Sequence, residues 1–212
     1  MMMIKRALVV DDHPVLRFAV KILLERSDID VVGETGNGIE ALQKARELKP
    51  DLVLLDLSLP KIDGMQVLER LRSLQIPMKI LILTSHAGAH FALRCQQAGA
   101  DGFVTKTEDL NELLDAVRIV LKGYAFFPQY SYFPGNVSSK LHNDEQKVKE
   151  LSDRELSVLI LTARGLGNKK IGEQLLLSEK TISTYKHRLK IKLNVNTLVE
   201  IIDFARRNNL LQ

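Results

Sequence analysis

The 212-residue chain has the length of one or two domains and an ordinary globular composition, with 45% hydrophobic and 26% charged residues. Its apolar runs are of strand length, and its first residues lead into one of them without the features of a signal peptide. We therefore expect a cytoplasmic protein with no membrane partner. The single cysteine, Cys95, excludes an internal disulfide and a multi-thiolate metal site, and we assign it no role.

Charge is distributed unevenly along the chain. Residues 1–122 contain 16 basic and 17 acidic residues, net −1, whereas the other 90 residues contain 14 and 9, net +5. A basic C-terminal part beside a near-neutral N-terminal part is typical of a module that binds a polyanion. A solvated charged surface gives the same pattern and remains the alternative.

The first 122 residues alternate between strand and helix patterns. Strands are predicted at residues 4–10, 30–35, 52–55, 78–83 and 102–105. Helices are predicted at residues 15–25, 39–48, 64–74, 89–98 and 110–121. This alternation predicts a doubly wound, flavodoxin-like α/β fold with a five-stranded parallel sheet in the order 2-1-3-4-5.

Acidic residues follow two of the predicted strands. Asp11 and Asp12 end the first strand, and Asp56 ends the third. These two strands are neighbours in the 2-1-3-4-5 order, so their acids should meet in one crevice. Carboxylates brought together repel one another, and a hard divalent cation relieves that repulsion, with Mg²⁺ the expected ion. Considered alone, Asp56 could equally cap a loop.

Thr84 and Lys106 end the fourth and fifth strands and should close the same crevice. A lysine offsets the charge of a phosphoryl group and a threonine donates to one of its oxygens. Asp56 is then the nucleophile that forms an acyl phosphate. No second nucleophile or base accompanies it in the sequence, so we do not expect an enzyme.

This set of residues, Asp11-Asp12, Asp56, Thr84 and Lys106, with Phe103 three residues before the lysine, resembles the receiver domain of two-component response regulators. The resemblance covers residues 4–122. It implies that a sensor histidine kinase or phosphotransfer protein phosphorylates Asp56.

The same resemblance implies roles for the residues around the acceptor. Asp12 would bind Mg²⁺ directly and Asp11 through water, with the backbone carbonyl of Ser58 as a third ligand beside Asp56. Thr84 and Phe103 would form the switch pair, although a phenylalanine in such a strand is more often a core residue. The remaining polar neighbours, His13, His86 and His90, lack metal-ligand spacing and are interpreted as loop residues.

Residues 123–149 break the alternating pattern. Six of the eleven aromatic residues of the chain stand among prolines between Tyr124 and Pro134. They could form a ligand patch, but an ordered linker that packs against the preceding helix is the favoured interpretation. We therefore place a receiver domain at residues 1–122, a linker at 123–149 and a second domain at 150–212.

The pattern is helical from Leu151 onward. Ser152 and Glu155 have the spacing of a capping box, and Asn168, Ser178 and Asn196 are the predicted N-caps of three further helices. Four helices with tight turns predict a small all-α domain that contains a helix-turn-helix.

The third of these helices, from about Lys180 to Leu193, has two distinct faces. Ile182, Tyr185, Leu189 and Leu193 form its predicted buried stripe. The remaining faces carry the predicted DNA contacts, which are Lys180, Thr181, Ser183, Thr184, Lys186, His187, Arg188 and Lys190. Within that set we expect Ser183, Thr184 and His187 to face base edges, and Lys186, Arg188 and Lys190 to face phosphates. A solvated helix face is the alternative.

The segments at residues 151–155, 167–171 and 177–186 resemble the DNA-binding domain of the NarL/FixJ (LuxR-type) regulators. The starting run Asp-Asp-His-Pro-Val-Leu-Arg-Phe-Ala, the linker Gly-Tyr-Ala-Phe-Phe-Pro and the run Ser-Thr-Tyr-Lys most resemble the BvgA/EvgA subgroup. The resemblance implies a transcription regulator controlled by phosphorylation, acting as a homodimer on DNA, with RNA polymerase as a further candidate partner. The alternative is a phosphorylation-independent adaptor that binds a partner protein.

Overall fold

A computed structural model of the chain describes residues 4–60, 62–85, 89–106, 110–128, 144, 147–148, 150–208 and 210–211. The chain divides into two compact units, Met1–Tyr130 and Ser131–Gln212. In the described part, no helix is both long enough and apolar enough to cross a bilayer.

The first unit contains a parallel sheet in which each strand is followed by a helix. The strands are β1 (Lys5–Val10), β2 (Ile29–Thr35), β3 (Leu52–Leu55), β4 (Lys79–Thr84) and β5 (Gly102–Thr105). The helices are α1 (Pro14–Glu25), α2 (Gly38–Leu48), α3 (Gly64–Ser73), α4 (Ala89–Gln97) and α5 (Leu110–Leu121). The strand order is β2-β1-β3-β4-β5, so the predicted fold class and order are confirmed.

The central strands are buried on both faces. On one face, Val9 and Leu54 pack in a cluster with Leu24 of α1 and Val117 of α5. The residues that alternate with them along the strands, such as Val53, are equally buried. Because successive side chains of a strand point to opposite faces, these strands read as continuous apolar runs rather than alternating ones.

The described residues that follow α5 bond to the edge of the sheet. Gly123 has a φ of +95°, a conformation that ends α5. The backbone N–H of Phe103 donates to the carbonyl of Phe126 at 2.7 Å, and the N–H of Phe126 donates to Asp101 at 3.0 Å. This segment therefore lies beside β5, joined to it by one parallel bridge between Gly102 and Phe126, and the N–H of Tyr124 also donates to the carbonyl of Ile119 in α5. The rest of the aromatic stretch, residues 129–134, lies outside the described residues.

The second unit is built from the four predicted helices. They are α6 (Asp153–Ala163), α7 (Asn168–Leu175), α8 (Glu179–Leu193) and α9 (Leu198–Arg207). Their shared core includes Leu156, Ile171, Ile182, Leu189 and Phe204, all of which are at most 1% exposed.

Two helix caps follow the sequence prediction. Ser152 and Glu155 form both hydrogen bonds of a capping box at α6. The Ser178 side chain accepts from the backbone N–H of Thr181 at the start of α8.

Two other predicted caps are wrong. Gly167 is the N-cap of α7, and Asn168 is its first helical residue, with its side chain bonded to Ser183 instead. Thr197, not Asn196, caps α9, because its hydroxyl accepts from the N–H of Glu200 while the Glu200 carboxylate accepts from the N–H of Asn196. The spacing of Thr197 and Glu200 was the signal that the sequence offered for this cap.

Candidate phosphoacceptor site and nucleic-acid interface

The carboxyl ends of β1, β3 and β5 bring acidic and basic side chains together. Asp11 and Asp56 are 3% and 1% exposed. The Lys106 Nζ lies 2.6 Å from Asp11 Oδ2 and 2.8 Å from Asp56 Oδ2. One buried ammonium therefore joins the carboxylates that follow two neighbouring strands, as the sheet order predicts.

Backbone hydrogen bonds beyond the strand ends hold these residues in place. The Asp11 N–H donates to Thr35 at 3.0 Å, and the Asp56 N–H donates to Val10 at 2.8 Å. The Lys106 N–H donates to the carbonyl of Thr84 at 2.7 Å. Each functional residue is thus fixed by a continuation of the parallel ladder rather than by a loop of its own.

The loop after Asp56 requires a glycine where it meets α3. The Gly64 N–H donates to the carbonyl of Leu57 at 3.1 Å. A Cβ at Gly64 would lie 2.4 Å from the Cα of Leu57 and 2.6 Å from the carbonyl oxygen of Asp56. Only a residue without a side chain allows the start of α3 to approach the backbone of Asp56 and Leu57 this closely. We call this backbone the acceptor loop, after the predicted role of Asp56.

The pocket shifts the pKa values of its charged groups. Burial raises the pKa of Asp11, and the Asp56 carboxylate adds to the increase, while Lys106 opposes it. Burial alone would lower the pKa of Lys106, but the carboxylates of Asp56 and Asp11 outweigh it and raise that pKa. Lys106 is therefore an ammonium at neutral pH, as the neutralisation of a phosphoryl group requires.

The donor set fits a hard divalent cation. Asp11, Asp12, His13 and Asp56 each offer one ligand atom within 4.8 Å of the others. Asp56 Oδ1 is buried and has no hydrogen-bond partner among the residues that the structure describes. A buried carboxylate oxygen without a donor is costly, and a cation supplies the missing partner. Carboxylate oxygens are the ligands that Mg²⁺ prefers.

His13, predicted to be a flanking loop residue, contacts both acids that end β1. Its Nδ1 is 2.7 Å from Asp12 Oδ1 and 3.3 Å from Asp11 Oδ1, although the side chain is half-exposed. Its position directly after Asp12 was the signal available in the sequence. The side chains of the other two flanking histidines, His86 and His90, lie outside the described residues.

The remaining predicted residues of the receiver lie in β4, in β5 and in the loop after Asp56. Thr84 is the last residue of β4 and is fully buried. Phe103, in β5, is also fully buried and pairs in register with Ile82. Ser58 is half-buried in the loop after Asp56. The roles of these three residues stay predictions.

Helix α8 presents most of its predicted DNA contacts on its surface. Thr181 and Lys186 are half-buried, and burial lowers the pKa of Lys186. The exposed contacts are Lys180, Ser183, Thr184, His187, Arg188 and Lys190. Tyr185, predicted to be buried, is only half-buried, because it lies at the edge of the apolar stripe with the Arg188 guanidinium 6.0 Å from the centre of its ring.

An ion pair that sequence reasoning missed anchors the far end of α8. The Lys192 Nζ lies 2.7 Å from Glu155 Oε2 and also donates to the carbonyl of Glu150 at 3.3 Å. Burial would raise the pKa of Glu155, but the hydrogen bonds from Lys192 and Ser152 outweigh it and lower that pKa. Lys192 therefore holds α8 against α6.

Comparison with known proteins identifies both units. The response regulator receiver domain matches residues 7–118, and the LuxR family of bacterial regulatory proteins matches residues 149–205. The virulence-factor transcription regulator BvgA of Bordetella pertussis is 48% identical over 208 residues, which cover 98% of this chain and 100% of BvgA. The chain belongs to the NarL/FixJ family of two-component response regulators.

Other response regulators also match this chain, in sequence or in structure. The DNA-binding transcriptional activator EvgA of Escherichia coli K12 is 38% identical over 205 residues, covering 96% of this chain and 98% of EvgA. A solved LuxR-family response regulator from Aurantimonas sp. SI85-9A1 is 34% identical, with a TM-score of 0.56, and covers 69% of this chain and 99% of that one. The 212-residue chain is therefore a DNA-binding transcription regulator of the predicted family and subgroup.

Proposed function

We propose that Asp56 accepts a phosphoryl group from a sensor histidine kinase or phosphotransfer protein, and that this controls DNA binding. The observation that carries the proposal is the buried Asp56 carboxylate, with Oδ2 beside Lys106 and Oδ1 without a hydrogen-bond partner among the described residues. The domain limits proposed are residues 1–122, 123–149 and 150–212.

The chemistry follows from the groups around that carboxylate. An Asp56 oxygen attacks phosphorus, the bond from phosphorus to the donor breaks, and the donor's leaving group takes the electron pair. Lys106 offsets the charge of the transferred group, and the Thr84 hydroxyl donates to one of its oxygens.

Divalent metal completes the proposed site. The carboxylates of Asp11, Asp12 and Asp56 and the backbone carbonyl of Ser58 would hold Mg²⁺. When bound, Mg²⁺ neutralises charge that develops on the phosphoryl oxygens.

Asp56→Asn should abolish the incorporation of acid-labile phosphate from a small phosphodonor in the presence of Mg²⁺. Asp12→Asn should retain incorporation but require more Mg²⁺, because one direct ligand becomes neutral. Asp51→Asn is the matched control. Asp51 directly precedes β3, whereas Asp56 directly follows it, and Asp51 pairs with Lys5 away from the site. Undiminished labelling of Asp56→Asn would remove the assignment.

We further propose that the protein acts in the cytoplasm and that its helix α8 enters the major groove of DNA. A helix with a buried apolar stripe, exposed hydrogen-bonding residues and flanking cations suits that groove. A single helix reads only a few base pairs, so a homodimer on repeated half-sites is the expected binding form, and RNA polymerase is a proposed further partner. The intact acid, threonine and lysine positions favour this function over a phosphorylation-independent adaptor.

A further inference from the structure

Two neighbouring hydroxyls on the exposed face of α8 are hydrogen-bonded within the protein in opposite senses. Ser183 Oγ accepts a hydrogen bond from the Asn168 amide nitrogen Nδ2 at 3.0 Å. Thr184 Oγ1 donates to the backbone carbonyl of Lys180 at 3.0 Å. A hydroxyl has one proton and two lone pairs, so these bonds occupy different parts of the two groups. Ser183 keeps its proton available, whereas Thr184 keeps its lone pairs.

The Asn168 side chain is committed to this contact. Asn168 is the first residue of α7, but Gly167 is the N-cap of that helix, so the amide is not used as a cap. It reaches from the start of α7 to Ser183 on α8. A hydroxyl oxygen that accepts a hydrogen bond from the Asn168 amide has restricted rotation, and its own proton is directed away from that amide.

Ser183 lies on the surface proposed to meet DNA, and the Asn168 bond leaves its hydroxyl proton available to an acceptor outside the protein. Ser183 is exposed, as is Thr184 beside it. In the major groove a single donor is matched by an acceptor on a base edge, and N7 is the acceptor that adenine and guanine share. A serine whose proton were consumed inside the protein would instead match an exocyclic amino group.

We infer that Asn168 is a positioning residue that holds Ser183 as a hydrogen-bond donor to a purine N7. The inference rests on the proposed placement of α8 in the major groove. Ser183 then distinguishes the purine-bearing strand at one position of each half-site, and Asn168, without touching that base, sets the direction of the contact.

The test uses DNA in which N7 alone is removed. The full chain, treated with Mg²⁺ and a small phosphodonor, first selects a duplex from a random-sequence pool. Each purine of that duplex is then replaced in turn by its 7-deaza analogue, which has a C–H in place of N7 and pairs normally. At least one purine in each half-site should show a loss of about tenfold in affinity, the size expected for one base contact.

Variants of the two residues assign that loss. The ratio of affinities for the normal and 7-deaza duplexes should fall to about one in Ser183→Ala, as expected when one partner of a coupled pair is gone. It should also fall in Asn168→Asp, because a carboxylate accepts the hydroxyl proton that the amide leaves free. The added negative charge weakens binding to both duplexes alike and cancels in the ratio. Gln174→Ala, exposed on the same helix, should keep the wild-type ratio.

The outcomes separate this inference from the proposed function. An unchanged ratio in Ser183→Ala or in Asn168→Asp overturns the inference. A selected duplex with no 7-deaza-sensitive purine overturns the inference while leaving DNA binding intact. Failure of the chain to select any duplex contradicts both.

Discussion

Asp11 and Asp101 lie at opposite ends of the same sheet and have opposite pKa shifts. Burial raises the pKa of Asp11 despite the nearby Lys106. Burial acts in the same direction on Asp101, but the Ile80 N–H, Lys79 and Arg72 outweigh it and lower that pKa. The ionised form of Asp101 therefore stabilises the fold, whereas ionisation of Asp11 lowers the stability of the fold.

Asp11→Asn should raise the midpoint of thermal unfolding near pH 8 in a buffer without divalent cations. Because the folded-state pKa of Asp11 is raised, its ionisation disfavours folding above that pKa, and an uncharged amide removes the cost. The gain should shrink as the pH falls through the raised pKa, since the wild-type carboxyl then takes up its proton. An unfolding midpoint lowered at pH 8 would contradict the prediction.

Asp101→Asn is the control of opposite sign. Its lowered folded-state pKa stabilises the fold above the unfolded pKa, and this stability is lost as the pH falls through the folded pKa. The substitution should cost on the order of 2 kcal/mol at neutral pH, as expected for the loss of hydrogen bonds to a charged group. That cost should disappear in acid.

At the scale of elements, two helices begin with a glycine packed tightly against its surroundings. A Cβ at Gly38, the first residue of α2, would meet the end of the Val67 side chain at 2.6 Å, with its next neighbours at 3.6 Å. A Cβ at Gly64, the first residue of α3, would instead meet the backbone of Asp56 and Leu57. A side chain can move aside, but the acceptor loop cannot do so without moving Asp56.

Gly64→Ala should therefore cost more stability than Gly38→Ala and should also slow phosphorylation. The overpacking cost is expected at or above about 3 kcal/mol at Gly64 and nearer about 1 kcal/mol at Gly38. Urea denaturation and the rate of labelling by a small phosphodonor measure the two effects. Equal losses for the two variants would show that the backbone contact does not govern the acceptor loop.

A second prediction at this scale concerns helix α8. Substituting one of its exposed cations should affect DNA binding differently from substituting one of its groove-facing residues. Lys190→Ala should weaken binding to all DNA and reduce the salt dependence by about one unit of slope. His187→Ala should cost about 1–3 kcal/mol on a selected site and leave binding to random DNA almost unchanged. If His187→Ala lost equal affinity for both DNAs over a salt series, the proposed groove-facing side of α8 would be wrong.

At the scale of the whole molecule, the chain separates a near-neutral receiver from a basic DNA-binding part, and the proposed signal is a change of charge in the first. Phosphate adds about 1.5 to 2 negative charges and strong acceptor oxygens. Thr84 would be drawn toward it, and the buried Phe103 would change rotamer as the receiver surface repacks.

Phosphorylation should therefore shift the chain from monomer to dimer. Sedimentation across a range of protein concentrations, with and without a small phosphodonor and Mg²⁺, measures the shift. Asp56→Asn should stay at the unphosphorylated distribution under both conditions. The same oligomer with and without phosphate at every concentration would refute the proposed mechanism.

The sequence by itself determined the strand order and the meeting of Asp11, Asp12, Asp56 and Lys106. Apolar runs define the strands, right-handed crossovers restrict their order, and the carboxyl ends of parallel strands share one edge. The capping box of Ser152 and Glu155 was equally local, since both partners lie within one helical turn.

Only the tertiary structure decided which long side chains meet across elements. The ion pair of Lys192 with Glu155, the cluster of Arg72 and Lys79 on Asp101, and the bond from Asn168 to Ser183 join residues at least 15 positions apart. Such side chains have several rotamers, and the packing of neighbouring elements selects one of them. Local periodicity specifies which face of its helix or strand a residue occupies, but not which side chain of the neighbouring element it contacts.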